Sequence, residues 1–194
     1  LKAEDGTIAP TQFTNVALNK QCTMVAAVSA TDHCAYVWML QKDDSEPIAK
    51  ITGHTGPITA LQFTPLSKVL TGSQDATVRL TDILTNDAST VINVPEMVTS
   101  AVISPDEKDV VIACSNGKLY FYRLEGTDYI EAADLNITND ARGGRRLDQM
   151  RSAQKTNWYF ETMDFSPDGS FIVCGGKTKF ICVYSVKNHL LMRR

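Results

Sequence analysis

The sequence predicts an all-β fold in which one unit of four short strands occurs four times. Short runs rich in Val, Ile, Thr, Tyr and Phe alternate with turn residues throughout the 194 residues. The same order of strands and turns returns about every forty residues where it is uninterrupted, which indicates one repeated supersecondary unit. Four short strands per repeat are typical of a β-propeller blade. We therefore expect a propeller of which four blades are present in this chain.

The first two units cover residues 10–51 and 52–94. The strands predicted for the first unit are Phe13–Leu18, Met24–Ser29, Ala35–Leu40 and Pro47–Ile51. Those predicted for the second unit are Ile58–Phe63, Lys68–Ser73, Thr77–Ile83 and Thr90–Val94. The second unit shows the pattern most clearly, since Gly53-His54 opens it and the tight turn Gln74-Asp75-Ala76 joins its second and third strands.

The third and fourth units cover residues 95–135 and 158–194. The strands predicted for the third unit are Val98–Ser104, Val110–Ser115, Lys118–Leu124 and Tyr129–Leu135. Those predicted for the fourth are Phe160–Ser166, Phe171–Gly175, Phe180–Val186 and Leu190–Arg194. Ser104-Pro105-Asp106 and Ser166-Pro167-Asp168-Gly169 stand at the same place in the two units. Proline presets the second position of a turn, and Asp and Gly accept the conformations that follow.

One position near the end of each third strand fixes the alignment of the four units. Its residues are Trp38, Thr81, Tyr122 and Tyr184, at spacings of 43, 41 and 62 residues. The longer last spacing indicates a polar insertion at residues 136–157, before the fourth unit. Three of the four aligned residues are large aromatics, which we expect where one ring packs against the next blade.

Composition excludes several classes of protein. The net charge of −3 gives no global basic field for nucleic acid, and no apolar stretch reaches the length of a membrane helix.

The five cysteines form no Cys-x-x-Cys pair, and we expect reduced thiols in a cytosolic or nuclear protein, with Cys114, Cys174 and Cys182 buried. His33 and His189 stand alone in turns, and we expect them at the surface.

The motifs of common catalytic and cofactor sites are missing from the sequence. Gly175-Gly176-Lys177-Thr178 resembles the end of a phosphate-binding loop, but Phe171 stands where the earlier glycine is required. The segment also leads from strand to strand and not into a helix. We therefore expect no enzyme activity, no catalytic residue, no metal, no cofactor and no small-molecule substrate.

The insertion carries the one local cluster of positive charge. Its members are Arg142, Arg145, Arg146, Arg151 and Lys155, offset in part by Asp140 and Asp148. One interpretation is a solvated loop. The other is an arm that contacts RNA or a protein, because the arginine fork binds phosphate bidentately and stacks on bases.

Two parts of the chain, residues 53–80 and 164–194, resemble known sequences. Gly53-His54-Thr55-Gly56-Pro57 through Asp75-Ala76-Thr77-Val78-Arg79-Leu80 resembles a WD repeat, which implies that His54 and Asp75 form a buried structural hydrogen-bond pair. Asp164 to Gly169, Gly175 to Tyr184 and Leu190-Leu191-Met192-Arg193-Arg194 resemble the second propeller of the periodic tryptophan protein 2 family. Thr81 departs from the usual Trp of a WD repeat, and Met39, Arg123 and Ser185 depart from the Asp that follows it.

The family resemblance carries functional expectations. It implies a non-enzymatic scaffold in ribosome biogenesis, located in the nucleus and nucleolus as part of the small-subunit processome. The implied partners are other WD-repeat and helical-repeat processome subunits, pre-rRNA and a guide small nucleolar RNA, with no membrane contact. It also implies that the four blades belong to a larger ring of about seven. The alternative is a WD-repeat adaptor in another assembly, such as a vesicle coat or a ubiquitin-ligase substrate receptor.

Overall fold

The computed structural model describes residues 12–41, 46–85, 88–138, 140 and 158–194. Within these ranges sixteen strands form four separate antiparallel sheets of four strands each. The chain divides into two compact halves, residues 1–95 and 96–194, and each half contains two of the sheets. The predicted all-β architecture of four blades is confirmed.

The first half contains blades one and two. Blade one consists of β1 (Phe13–Leu18), β2 (Met24–Ser29), β3 (Ala35–Met39) and β4 (Ala49–Ile51). Blade two consists of β5 (Ile58–Phe63), β6 (Lys68–Ser73), β7 (Thr77–Asp82) and β8 (Ala88–Asn93). In both blades each strand pairs with the next strand of the chain, so short turns suffice to connect them.

The second half contains blades three and four. Blade three consists of β9 (Val98–Ile103), β10 (Asp109–Cys114), β11 (Lys118–Glu125) and β12 (Asp128–Asn136). Blade four consists of β13 (Tyr159–Phe165), β14 (Phe171–Lys177), β15 (Cys182–Ser185) and β16 (Leu190–Arg193). Both sheets follow the same consecutive order as those of the first half.

The register of the sheets supports the alignment of the four units. Trp38, Thr81, Tyr122 and Tyr184 each pair with the second residue of the second strand of their blade. Those partners are Val25, Val69, Val110 and Ile172. The position identified from sequence spacing is thus structurally equivalent in all four sheets.

Blades one and two share an apolar core in the first half. Strand alternation turns Ala26, Val28, Ala35 and Val37 of blade one toward Val69 and other apolar residues of blade two. Burying a Val or Leu side chain contributes roughly 1.5–3 kcal/mol each. Asn15 adds a polar contact between the blades, because its amide donates a hydrogen bond of 2.8 Å to the carbonyl of Thr59.

Blades three and four share the larger apolar core of the second half. Val111 and Phe121 of blade three meet Phe160, Ile172 and Tyr184 of blade four in one buried cluster. The rings of Phe160 and Tyr184 are nearly perpendicular, with centroids 6.1 Å apart. Tyr184 therefore belongs to the buried core that blades three and four share.

The remaining differences from the predictions are local. The fourth strand of blade one is Ala49–Ile51, because Pro47 has no backbone N–H to donate to a ladder. The third strand of blade four begins at Cys182 and not at Phe180, since residues 178–181 form the turn before it. His189 is half-buried, with its ring 4.7 Å from that of Phe121. His33 is also half-buried, so the expectation of two surface histidines is wrong.

Candidate functional site

His54 and Asp75 form the predicted pair at the end of blade two. The Nδ1 atom of His54 lies 3.0 Å from a carboxylate oxygen of Asp75, and their side chains are 1 % and 7 % exposed. The Nε2 atom lies 2.9 Å from the hydroxyl of Thr71, which is fully buried. Both ring nitrogens of His54 therefore have partners inside the blade.

Asp75 also fastens the turn that contains it. Its carboxylate accepts hydrogen bonds from the Thr77 hydroxyl at 2.6 Å and from the backbone N–H groups of Thr77 and Thr55, both at 2.9 Å. The Thr55 bond joins the Gly-His segment to the turn between β6 and β7. The sequence predicted the pair of His54 and Asp75 but not the contacts of Thr71 and Thr77, whose hydroxyls bind the pair. The only sign of these contacts in the sequence was a hydroxyl residue on each of the two strands that flank the turn.

The electrostatics of the pair favour a neutral histidine beside an ionised aspartate. Burial lowers the pKa of His54, and the neighbouring Asp75 only partly opposes this shift. Burial also works against ionisation of Asp75, but the hydrogen bonds from Thr77, Thr55 and His54 outweigh it and lower the pKa of Asp75 to about 2. Since no open face of the imidazole remains, the arrangement suits a structural role better than general base catalysis.

The five cations of the insertion lie outside the described residues. Arg142, Arg145, Arg146, Arg151 and Lys155 all fall within residues 141–157. The structure does describe the residues on either side. Asp140 precedes this segment and accepts a hydrogen bond of 3.0 Å from the hydroxyl of Tyr184. Trp158 follows the segment and leads directly into β13.

Gly175-Gly176-Lys177-Thr178 forms the end of β14 and the start of the following turn. Gly176 has a φ of +144°, and a Cβ atom at this position would lie 2.3 Å from the backbone nitrogen of Glu161. Glu161 is the extra residue where the β13–β14 register shifts between Phe160 and Thr162. Glycine is therefore required by a β-bulge, which gives this segment a structural explanation.

The cysteines do not form a reactive or metal-binding group in the described part of the chain. All five thiols are free, and Cys34, Cys114, Cys174 and Cys182 are buried, which confirms burial of the three strand cysteines. Burial raises the pKa of Cys114 to about 12 and raises that of Cys174 as well. Among the described residues, no three His, Cys, Asp or Glu side chains converge on a possible metal site, and no helix is long and apolar enough to cross a membrane.

Comparison with known proteins first identifies the repeat. The family model described as "WD domain, G-beta repeat" matches residues 45–82 and 155–185. These segments cover β5 to β7 of blade two and β13 to β15 of blade four, and they include both His54 and Asp75. The match thus identifies WD repeats in blades two and four.

Curated relatives extend the likeness along nearly the whole chain. The Periodic tryptophan protein 2 homolog of Schizosaccharomyces pombe is 29 % identical over 94 % of this chain. The resemblance to the periodic tryptophan protein 2 family is confirmed. Periodic tryptophan protein 2 of Saccharomyces cerevisiae is 29 % identical over 94 % of the chain, and the Mus musculus homolog is 28 % identical over 95 %. The chain spans about one fifth of the length of these periodic tryptophan protein 2 relatives.

Proposed function

We propose that this chain is part of a non-enzymatic scaffold subunit in ribosome biogenesis. It supports processing of small-subunit pre-rRNA and assembly of the particle through protein and RNA contacts in the small-subunit processome. The observation that carries the proposal is the similarity to periodic tryptophan protein 2 over 94 % of the chain. The WD-repeat match covers only two segments, so the family likeness is much more specific than the shared fold.

The described geometry supports a binding role. The His54–Asp75 pair, the most buried ion pair among the described residues, is occupied by contacts within blade two. Four antiparallel blades present turns and strand edges, which are surfaces suited to partner proteins and RNA. The proposed partners are other WD-repeat and helical-repeat subunits, pre-rRNA and a guide small nucleolar RNA, and the proposed location is the nucleolus.

Purification of the tagged intact protein from cells tests this function. We expect small-subunit precursor RNA and processome proteins to be enriched, and the tagged protein to coincide with a nucleolar marker. Enrichment of vesicle-coat or ubiquitin-ligase components instead, with a cytoplasmic or endomembrane signal, would favour a WD-repeat adaptor in another assembly. Purification of a tagged nucleolar protein that does not belong to the processome is the control for nonspecific recovery.

A further inference from the structure

One end of blade four gathers four basic side chains from two separate segments of the chain. Lys177 ends β14, Lys179 lies in the turn to β15, and Arg193 ends β16, with Arg194 after it. The antiparallel order β13-β14-β15-β16 places the start of β13, the end of β14, the start of β15 and the end of β16 together. Residue pairs Tyr159–Lys177 and Val183–Arg193 fix this arrangement.

These cations are exposed, and their charges are not neutralised by the described acidic residues. Lys177, Lys179, Arg193 and Arg194 are all exposed, and none forms an ion pair with a described carboxylate. Elsewhere, by contrast, Lys118 pairs with Asp134 at 2.6 Å and Arg123 with Asp109 at 2.8 Å. The end of blade four thus offers cations that can bind an anionic partner.

Two aromatic rings accompany the cations. The Lys177 ammonium lies 5.4 Å from the centre of the Tyr159 ring, and the Arg194 guanidinium lies 5.6 Å from that of Phe180. Phe180 is 39 % exposed in the turn before β15. An exposed flat ring beside a cation provides a stacking surface next to a phosphate-binding group.

We propose that this basic–aromatic rim binds single-stranded RNA. The rim consists of Tyr159, Lys177, Lys179, Phe180, Arg193 and Arg194. Its cations contact phosphates, and its rings stack on unpaired bases, which a duplex does not expose. An acidic peptide would use the cations but has no bases to stack on the rings. The proposal rests on the proposed role in pre-rRNA assembly and assigns the RNA contact to a particular surface.

Salt-dependent binding of a fluorescent oligouridylate to the intact protein tests the rim. The rim variant carries Lys177→Gln, Lys179→Gln and Arg194→Gln, and the matched control carries Lys20→Gln, Lys108→Gln and Lys187→Gln. The control cations are also exposed, and they lie in turns between the first two or last two strands of their blades. Each phosphate contact to a single strand contributes about 0.7 to the salt slope, so the rim variant should reduce the slope by about 2. The control should leave the slope near that of the unaltered protein.

A third variant separates stacking from charge. Phe180→Leu should weaken oligouridylate binding about fivefold or more at every salt concentration and leave the slope unchanged. Equal slopes for the rim and control variants, or full affinity in Phe180→Leu, would contradict the rim as an RNA site. Displacement of the oligouridylate by polyglutamate as effectively as by RNA would also overturn it and indicate an acidic protein partner. Continued recovery of small-subunit precursors with the intact protein would, in that case, leave the proposed function standing.

Discussion

The hydroxyl of Tyr184 donates a hydrogen bond of 3.0 Å to the carboxylate of Asp140. Tyr184 is fully buried in the core of blades three and four, and Asp140 lies in the insertion, just before the segment 141–157 that carries its cations. Burial, followed by the negative charge of Asp140, raises the pKa of Tyr184, which keeps its hydroxyl a donor. The contact ties the beginning of the insertion to the third strand of blade four.

A double-mutant cycle measures this contact. Tyr184→Phe and Asp140→Ala should each destabilise the protein, with a coupling of about 1.5–3 kcal/mol in the free energy of unfolding, because the acceptor is charged. Urea unfolding of the two single variants and the double variant gives the coupling directly. Simple additivity of the two losses would show that the hydrogen bond contributes nothing.

The pH dependence of stability should report the His54–Asp75 pair. The folded pKa of His54 lies below its ordinary value of 6.5, so the unfolded chain takes up a proton first as the pH falls. The stability that the neutral His54 contributes is complete above pH 6.5, and it is lost as the pH falls from there toward the folded pKa. Protonation of Asp75 lowers the free energy of unfolding by a further amount of about 2 kcal/mol between pH 3.8 and about 2.

Urea unfolding at pH 7, 5 and 3 checks both parts. His54→Gln should make the free energy of unfolding less dependent on pH between pH 7 and 5. Asp75→Asn should do the same below pH 4. An unchanged pH profile in both variants would refute the linkage. Both variants should also lower stability at pH 7, since each leaves a partner, the buried Thr71 or the half-buried Thr77, with a poorer hydrogen bond.

Gly176→Ala should destabilise blade four severely. The new Cβ would lie 2.3 Å from the backbone nitrogen of Glu161, so the bulge between β13 and β14 must open. We expect a loss above about 3 kcal/mol in the free energy of unfolding, measured by thermal or urea denaturation. Gly126→Ala is the matched control, because its φ of +68° is also positive but no atom lies within 4 Å of the added Cβ. Its loss should stay near 1 kcal/mol, and similar losses in the two variants would argue against the close contact.

Thiol labelling should separate Cys22 from the other cysteines. Cys22 is exposed, whereas Cys34, Cys114, Cys174 and Cys182 are buried, and burial raises the pKa of each of these four thiols. One thiol per chain should therefore react rapidly with a disulfide reagent in the folded protein, and all five after denaturation. Cys22→Ser should abolish the rapid reaction. Rapid labelling of a second thiol in that variant would contradict the described packing.

Much of the fold was predictable because its signals are local. Alternating apolar residues, together with turn residues such as Pro105 and Gly169, define the strand positions. Strand ends such as Gly175, which the sequence makes the last residue of a strand, shift because the ladder continues through a glycine bulge to Lys177. The His54–Asp75 pair was predictable from the repeat, but its threonine partners depend on the register between strands.

The sequence by itself determined the repeated four-strand unit, the aligned third-strand position and the family resemblance. Each of these depends on residue type and spacing within a short segment. Only the tertiary structure decided that Tyr184 lies in the core shared by blades three and four, that His189 packs on Phe121 and that Lys177 and Arg193 share one end of blade four. These relationships depend on strand pairing and on packing between blades, because residues far apart in the chain meet only when sheets form and bury their faces.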